Sequence, residues 1–201
     1  METVPTYFAQ CLAMLNKVDD CILGFEMGSL IYNARRDLAL QAIQQECDYV
    51  MWFDSDMMFS SNILEYFVDA LNNNPEIDIL SGMYFRRNKP YTPVIFERLR
   101  MNDDGSVFWR NYGDDYPRDD IFEVEGIGFG GVIMRTKVLI DVQSEFGTMF
   151  NPINGMGEDL AFSWRARKLG YKLWCDSRVK FGHVAHFVVT EDFYDSFKQS
   201  E

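Results

Sequence analysis

Asp54 and Asp56 stand directly behind Tyr49-Val50-Met51-Trp52-Phe53, a continuous apolar run rich in β-forming residues. Such a run suits a strand buried on both faces, and the carboxyl end of a strand in an α/β sheet is where ligands collect. On an extended backbone the i, i+2 spacing sends both carboxylates to one side and Ser55 to the other. Two carboxylates held together repel unless a cation or a hydrogen-bond donor lies between them. Oxygen ligands of this sort suit Mg²⁺ or Mn²⁺, which keep several waters and bridge to phosphates. D-x-D alone also suits a solvated turn, so other residues must support the chemistry. Glu158 and Asp159 follow Gly157 at the start of a helical pattern, at the positive end of the macrodipole, where acids also serve as simple caps. Both histidines, His183 and His186, fall within four residues after a late strand. A neutral imidazole is a natural ligand for a metal already held by a carboxylate, while a lone surface histidine needs no such role.

The elements that must position these groups follow from hydrophobic period and turn chemistry. Helical spacing covers Tyr7 to Val18, Leu30 to Glu46, about Asn62 to Asn72, Thr136 to Gln143 and Glu158 to Leu169. Asn62 and Glu65 are spaced as a capping box, and Gly170 closes the last helix. Strand-like runs are Cys21 to Phe25, Tyr49 to Phe53, Ile77 to Tyr84, Thr92 to Arg98, Val107 to Tyr112, Ile121 to Val124, Val132 to Met134, Tyr171 to Cys175 and Val179 to Phe181. Asp104-Gly105 offers a hairpin turn, and Asp114 to Asp120 reads as an acidic loop. Strands and helices alternate in the first half and mix in the second. That order predicts one three-layer α/β domain over 1–201 with a mainly parallel central sheet.

The chain has 201 residues, 47% hydrophobic and 25% charged. That length and balance suit one sizeable core and exclude a disordered chain. Nineteen Lys and Arg against thirty-one Asp and Glu give a net charge of −12. Nucleic acid and anionic membranes need clustered Lys and Arg, so the balance speaks against both. An anionic ligand would need local help such as a divalent cation. Cys11, Cys21, Cys47 and Cys175 are scattered and read as reduced thiols of a cytoplasmic protein. No basic leader opens the chain and no apolar run is long enough to span a membrane.

The motifs occur in a telling order: Tyr49 to Phe53 with Asp54-Ser55-Asp56-Met57, Gly128-Phe129-Gly130-Gly131-Val132-Ile133-Met134-Arg135, Gly157-Glu158-Asp159, Gly170-Tyr171-Lys172-Leu173, and Gly182-His183. From about Ala34 to His183 the chain resembles the GT-A-fold glycosyltransferases, of the inverting family-two type in its small bacterial and phage form. The resemblance implies a metal-dependent transfer of sugar from a nucleotide-sugar donor, UDP- or GDP-linked, to a hydroxyl of a glycan or protein acceptor. It implies Mn²⁺ or Mg²⁺ held by Asp56 and His183, with Asp54 reaching the ribose or the metal's waters. Asp159 would be the base that deprotonates the acceptor, with Glu158 behind it. Ala34-Arg35-Arg36-Asp37-Leu38-Ala39 resembles the family's A-R-N stretch, which assigns Arg35 to the nucleotide base, although Arg36 stands where Asn is usual. The resemblance divides the chain into a nucleotide-sugar half (1–100), an acceptor and catalytic half (101–190) and a tail (191–201).

Gly126-x-Gly128-x-x-Gly131 matches a dinucleotide fingerprint as a string, but it leads into a strand rather than a helix. Gly130 and Gly131 suit a close backbone approach to the sugar or acceptor instead. The aromatic residues after His186 suit packing or a contact between copies of the chain. Family members open with a buried central strand that ends in a Pro-containing loop. Met1 to Thr6 resembles that loop without the strand before it. Two alternatives share the motifs: a non-catalytic protein that binds nucleotide or glycan, and a nucleotide-sugar hydrolase.

Overall fold

The computed structural model describes residues 3–27 and 30–185. Its elements are α1 (Thr6–Ala13), α2 (Ile31–Gln44), β1 (Tyr49–Phe53), β2 (Met57–Met58), α3 (Ile63–Asn73), β3 (Ile79–Met83), β4 (Ile95–Met101) and β5 (Val107–Asn111). These are followed by β6 (Ile121–Val124), β7 (Gly126–Ile127), β8 (Gly131–Arg135), α4 (Thr136–Phe146), α5 (Glu158–Lys168), β9 (Leu173–Lys180) and β10 (Gly182–His183). The tail and His186 lie outside the described residues.

The period of two in the central strands makes the three layers. Val132 and Met134 of β8 join Trp52, Ile79 and Leu173 in a core shared with Ala39 of α2, Val138, Leu139 and Val142 of α4, and Phe162 and Ala166 of α5. Ile133, between them, turns to the other face with Leu80. There it meets Phe8 of α1 and Ile63, Leu64, Phe67 and Leu71 of α3. Fully burying one such side chain is worth about 1.5–3 kcal/mol, so these two interlayer cores carry most of the fold.

The central sheet has the order β1-β8-β3-β9-β6, and here the expected mainly parallel arrangement fails. Only β3 and β9 pair in parallel; β1–β8, β3–β8 and β6–β9 are antiparallel. The unit β1-α3-β3 does leave its two strands running the same way, as alternation implies. Gly131–Arg135 is inserted between them from far along the chain and runs against both. The expected strands Tyr171 to Cys175 and Val179 to Phe181 are largely one bent strand, β9, whose register against β3 shifts after Gly82. The proposed capping box does not close. Asn62 makes no side-chain cap, and Glu65 instead accepts a hydrogen bond from Asn16 at 3.0 Å.

Cys21 to Phe25, expected as a strand, is irregular. Register pairs Asp48 with Thr136 and Asp54 with Gly130, and both pairs are hydrogen-bonded, Thr136 N–H to Asp48 C=O at 2.9 Å and Asp54 N–H to Gly130 C=O at 3.4 Å. By antiparallel alternation, Val50 and Trp52 also face β8, while the backbone of Tyr49, Met51 and Phe53 faces outward. Among the described residues no strand pairs with that edge. A groove of about 1510 Å³ runs along it, lined by Leu12, Val18, Cys21, Leu38, Met51 and Leu64. Cys21 to Phe25 lies along this groove without joining a sheet among the described residues, and Ile22 and Phe25 are exposed.

Candidate functional site

The groove opens onto the carboxyl end of β1, where Arg35, Asp54, Asp56, Arg87 and His183 also line it. The backbone does not stay extended through Asp54-Ser55-Asp56, as the i, i+2 argument supposed. It turns, with Met57 N–H donating to Asp54 C=O at 3.0 Å, and the two carboxylates take different partners.

Asp54 belongs to Arg35. The guanidinium of Arg35 lies 2.9 Å from Asp54 Oδ1 and 3.3 Å from Glu158 Oε1, so one buried cation ties the D-x-D turn to the start of α5. It is 5% exposed and lies over the Phe129 ring at 5.0 Å, where π-electron density adds to the two carboxylates. Sequence places Arg35 in an A-R-R stretch; packing makes it the hub between acids 104 residues apart.

Asp56 belongs to Arg87 and His183. Arg87 Nη1 is 2.6 Å and His183 Nε2 is 3.3 Å from the same oxygen, Oδ2. The small sheet β2–β10 makes this meeting by pairing His183 with Met57, reinforced by Val184 N–H donating to Asp56 C=O at 2.9 Å. His183 Nδ1 is 2.8 Å from the Phe85 carbonyl. A carbonyl only accepts, so Nδ1 carries a proton and Nε2 is the nitrogen turned toward Asp56. A protonated ring pairs with Asp56 directly, and a neutral ring presents the Nε2 lone pair to the carboxylate, an arrangement that a shared cation stabilises. An imidazole oriented by its far N–H on a backbone carbonyl is how metal-ligating histidines are held. Among the described residues no three His, Cys, Asp or Glu side chains form a metal cage. Asp56 and His183 fit Mg²⁺ or Mn²⁺ only as a partial site, its other positions left to water and substrate oxygens.

Asp159 sits one residue past Glu158 in the first turn of α5, whose basic last turn, Arg165, Arg167 and Lys168, matches the dipole. It lies outside the lining of the groove. Burial pushes its carboxyl up to about 6, Glu158 and Asp54 add to the rise, and Arg35 and the Leu160 N–H oppose it. A carboxyl tuned to that range can take a proton near neutrality. The helix start is held from two sides. Ser163 Oγ donates to Asp159 C=O at 2.8 Å and accepts the Ile127 N–H at 3.3 Å. Buried Arg165 grips the preceding loop through the carbonyls of Met149 and Asn151, at 2.9 and 2.8 Å.

The glycine run is read differently once packed. A Cβ on Gly131 would lie 2.5 Å from Phe181 ring carbons, and one on Gly130 would lie 3.0 Å from the Tyr84 ring and 3.1 Å from Met57. Packing against Phe181 requires glycine at position 131, and position 130 is tight against Tyr84 and Met57. Tyr84 and Arg87 are the site residues that sequence reasoning missed. Buried Tyr84 accepts the Gly130 N–H on its hydroxyl at 3.2 Å. Burial, with Asp54 next in weight, pushes its phenol up, so it stays protonated. Arg86-Arg87, a basic pair directly after a buried apolar run in an acidic chain, was the available signal for the second.

No protein-family model and no curated protein sequence matches this chain. Solved structures do. A197 from STIV superposes with a TM-score of 0.57 at 14% identity, covering 81% of this chain and 71% of its own. GalNAc-T7, a GT-A glycosyltransferase solved with UDP, GalNAc and Mn²⁺, superposes with a TM-score of 0.51 at 11% identity. It covers 78% of this chain and 31% of its own. At such identities the likeness is one of fold. Among the described residues no helix is long and apolar enough to cross a membrane.

Proposed function

We propose, from a fold shared with a GT-A glycosyltransferase, that this protein transfers a sugar from a nucleotide-sugar donor to an acceptor hydroxyl with inversion. The observation that carries the reading is the meeting of Asp56 Oδ2 and His183 Nε2 at 3.3 Å beside a groove about 1510 Å³ in volume, which exceeds the size of ordinary small-molecule sites. Asp56 and His183 would hold Mn²⁺ or Mg²⁺, which supplies Lewis-acid neutralisation of the departing diphosphate.

The protein's own residues do the rest. Arg35 holds Asp54 and Glu158 in fixed relation, so the donor end and the acceptor end of the site keep their spacing. Asp159 accepts the proton of the acceptor hydroxyl as that oxygen attacks the anomeric carbon from the face opposite the leaving diphosphate. Glu158 beside it makes Asp159 a better base by raising its proton affinity. The GalNAc-T7 structure contains UDP and Mn²⁺, which makes a UDP-sugar the first donor to test.

The open edge of β1 favours a second reading, a non-catalytic protein that binds nucleotide or glycan. Thermal melts separate the readings together with a donor assay. UDP with Mn²⁺ raises the melting temperature and Asp56→Ala abolishes the rise under both. Release of UDP from a panel of UDP- and GDP-sugars occurs only under the first. A protein that melts identically with and without Mn²⁺ and UDP or GDP is not a transferase using those donors, and only the glycan-binding form of the second reading survives.

A further inference from the structure

Arg87 competes with a cation for Asp56. Its Nη1 is bonded to Asp56 Oδ2 at 2.6 Å, closer than His183 Nε2 at 3.3 Å, and on the same oxygen. A divalent ion shared by Asp56 and His183 needs the electron pairs of that oxygen, and it would sit within a few ångströms of a guanidinium. Like charges that close repel strongly in a partly buried site. The two cations therefore compete at Asp56.

Arg87 is built to leave. Its side chain is half exposed, while Asp56 is three-quarters covered. Among the described residues Asp56 is its only hydrogen-bonded carboxylate. The backbone around it is pinned, with Arg86 N–H donating to Thr92 C=O at 3.0 Å and Tyr91 N–H to Asn88 C=O at 2.9 Å. The neighbouring Phe85 carbonyl anchors His183. The guanidinium can thus swing on its own stem while the loop and the histidine stay in place. The acidic turn gains two positive charges when an ion binds, and a nucleoside diphosphate brings the anion that a displaced guanidinium pairs with best, through paired N–H donors.

Resting on the glycosyl-transfer reading, the geometry points to Arg87 as an exchangeable counter-ion. It neutralises Asp56 before the metal arrives, yields that oxygen to the metal, and then binds the donor's diphosphate. Metal and donor are thereby coupled, because the donor rewards the displacement that the metal must make.

The signature is a pair of opposite effects in one variant, read by titration calorimetry without any turnover. Arg87→Ala binds Mn²⁺ alone about fivefold more tightly than the natural protein, the factor that a partly exposed ion pair is worth. At saturating Mn²⁺ the same variant binds UDP about tenfold or more weakly, as loss of a charge-assisted contact requires. Arg87→Lys keeps the positive charge without the paired donors. It holds Mn²⁺ affinity near the natural value and recovers only part of the UDP affinity. A purely structural role for Arg87 would move both affinities the same way, and that result overturns the proposal, as does unchanged Mn²⁺ affinity in Arg87→Ala. Absence of Mn²⁺ binding to the natural protein and both variants is a different outcome, which removes the metal reading itself and the exchange with it. Equal melting temperatures of the three proteins in chelator establish that the variants fold.

Discussion

Asp159 shows how one residue's environment becomes a pH dependence. Its carboxyl ionises near 6 instead of the ordinary 3.8 because burial and Glu158 disfavour the charged form. In its proposed role as base it works only when ionised, so kcat/KM should climb about tenfold per pH unit below 6 and level off above it. Asp159→Asn should reduce kcat by roughly 10²–10⁴-fold while metal and UDP binding persist. A flat profile from pH 5 to 8, or a variant that keeps its turnover, would remove the assignment. The sign for stability is the reverse. Between about 3.8 and 6 the folded protein holds a proton that the unfolded chain has lost, so this residue's contribution to stability falls as pH rises through that window and stays low above it. The asparagine variant should be the more stable protein at pH 7 and the less pH-dependent one, in urea unfolding at pH 4, 5 and 7. At this scale the sequence was informative about types and poor about partners. D-x-D, G-E-D and the late histidine were all visible. That Asp54 answers to Arg35 and Asp56 to Arg87 was not, because the turn at 54–56 is set by contacts 31 and 127 residues away in the chain.

At the level of elements, the short pairing of β2 with β10 decides where His183 stands, and Phe181 decides whether β10 can reach it. The Phe181 ring lies flat enough on Gly131 of β8 that an added methyl would come within 2.5 Å of it. Gly131→Ala should cost about 1–3 kcal/mol through overpacking and weaken Mn²⁺ binding by shifting the strand that carries His183. Adding Phe181→Leu to that variant should recover part of both losses, so a double-mutant cycle in chemical denaturation should give a favourable coupling. Strictly additive costs would show that the glycine matters for some other reason. Helices α2, α3 and α5 were legible from their periodicity to within two residues. The capping box at Asn62 and the strand at Cys21 to Phe25 were not, since each depends on a neighbour rather than on local preference: Asn16 takes Glu65, and among the described residues no strand pairs with Cys21 to Phe25.

For the molecule as a whole, the open edge of β1 makes a direct prediction for hydrogen exchange. The amides of Val50, Trp52 and Asp54 face β8 and should be protected, while those of Tyr49, Met51 and Phe53 face the groove and should exchange faster. Uniform protection along the strand would mean that something covers the edge in solution. The same geometry says how far sequence reaches here. Composition, periodicity and motif order determined a three-layer α/β chain with an acidic site at a strand end, because burial patterns and residue chemistry are local and survive in one dimension. They missed the direction of most strand pairs, since a strand's alternation is the same whichever way its neighbour runs. Tertiary structure alone threaded Gly131–Arg135 between β1 and β3, buried Arg35 between two acids and set Arg87 against Asp56. Each of these is a contact between segments far apart in the chain, chosen by packing and by charge neutralisation, and neither leaves a periodic mark on the sequence.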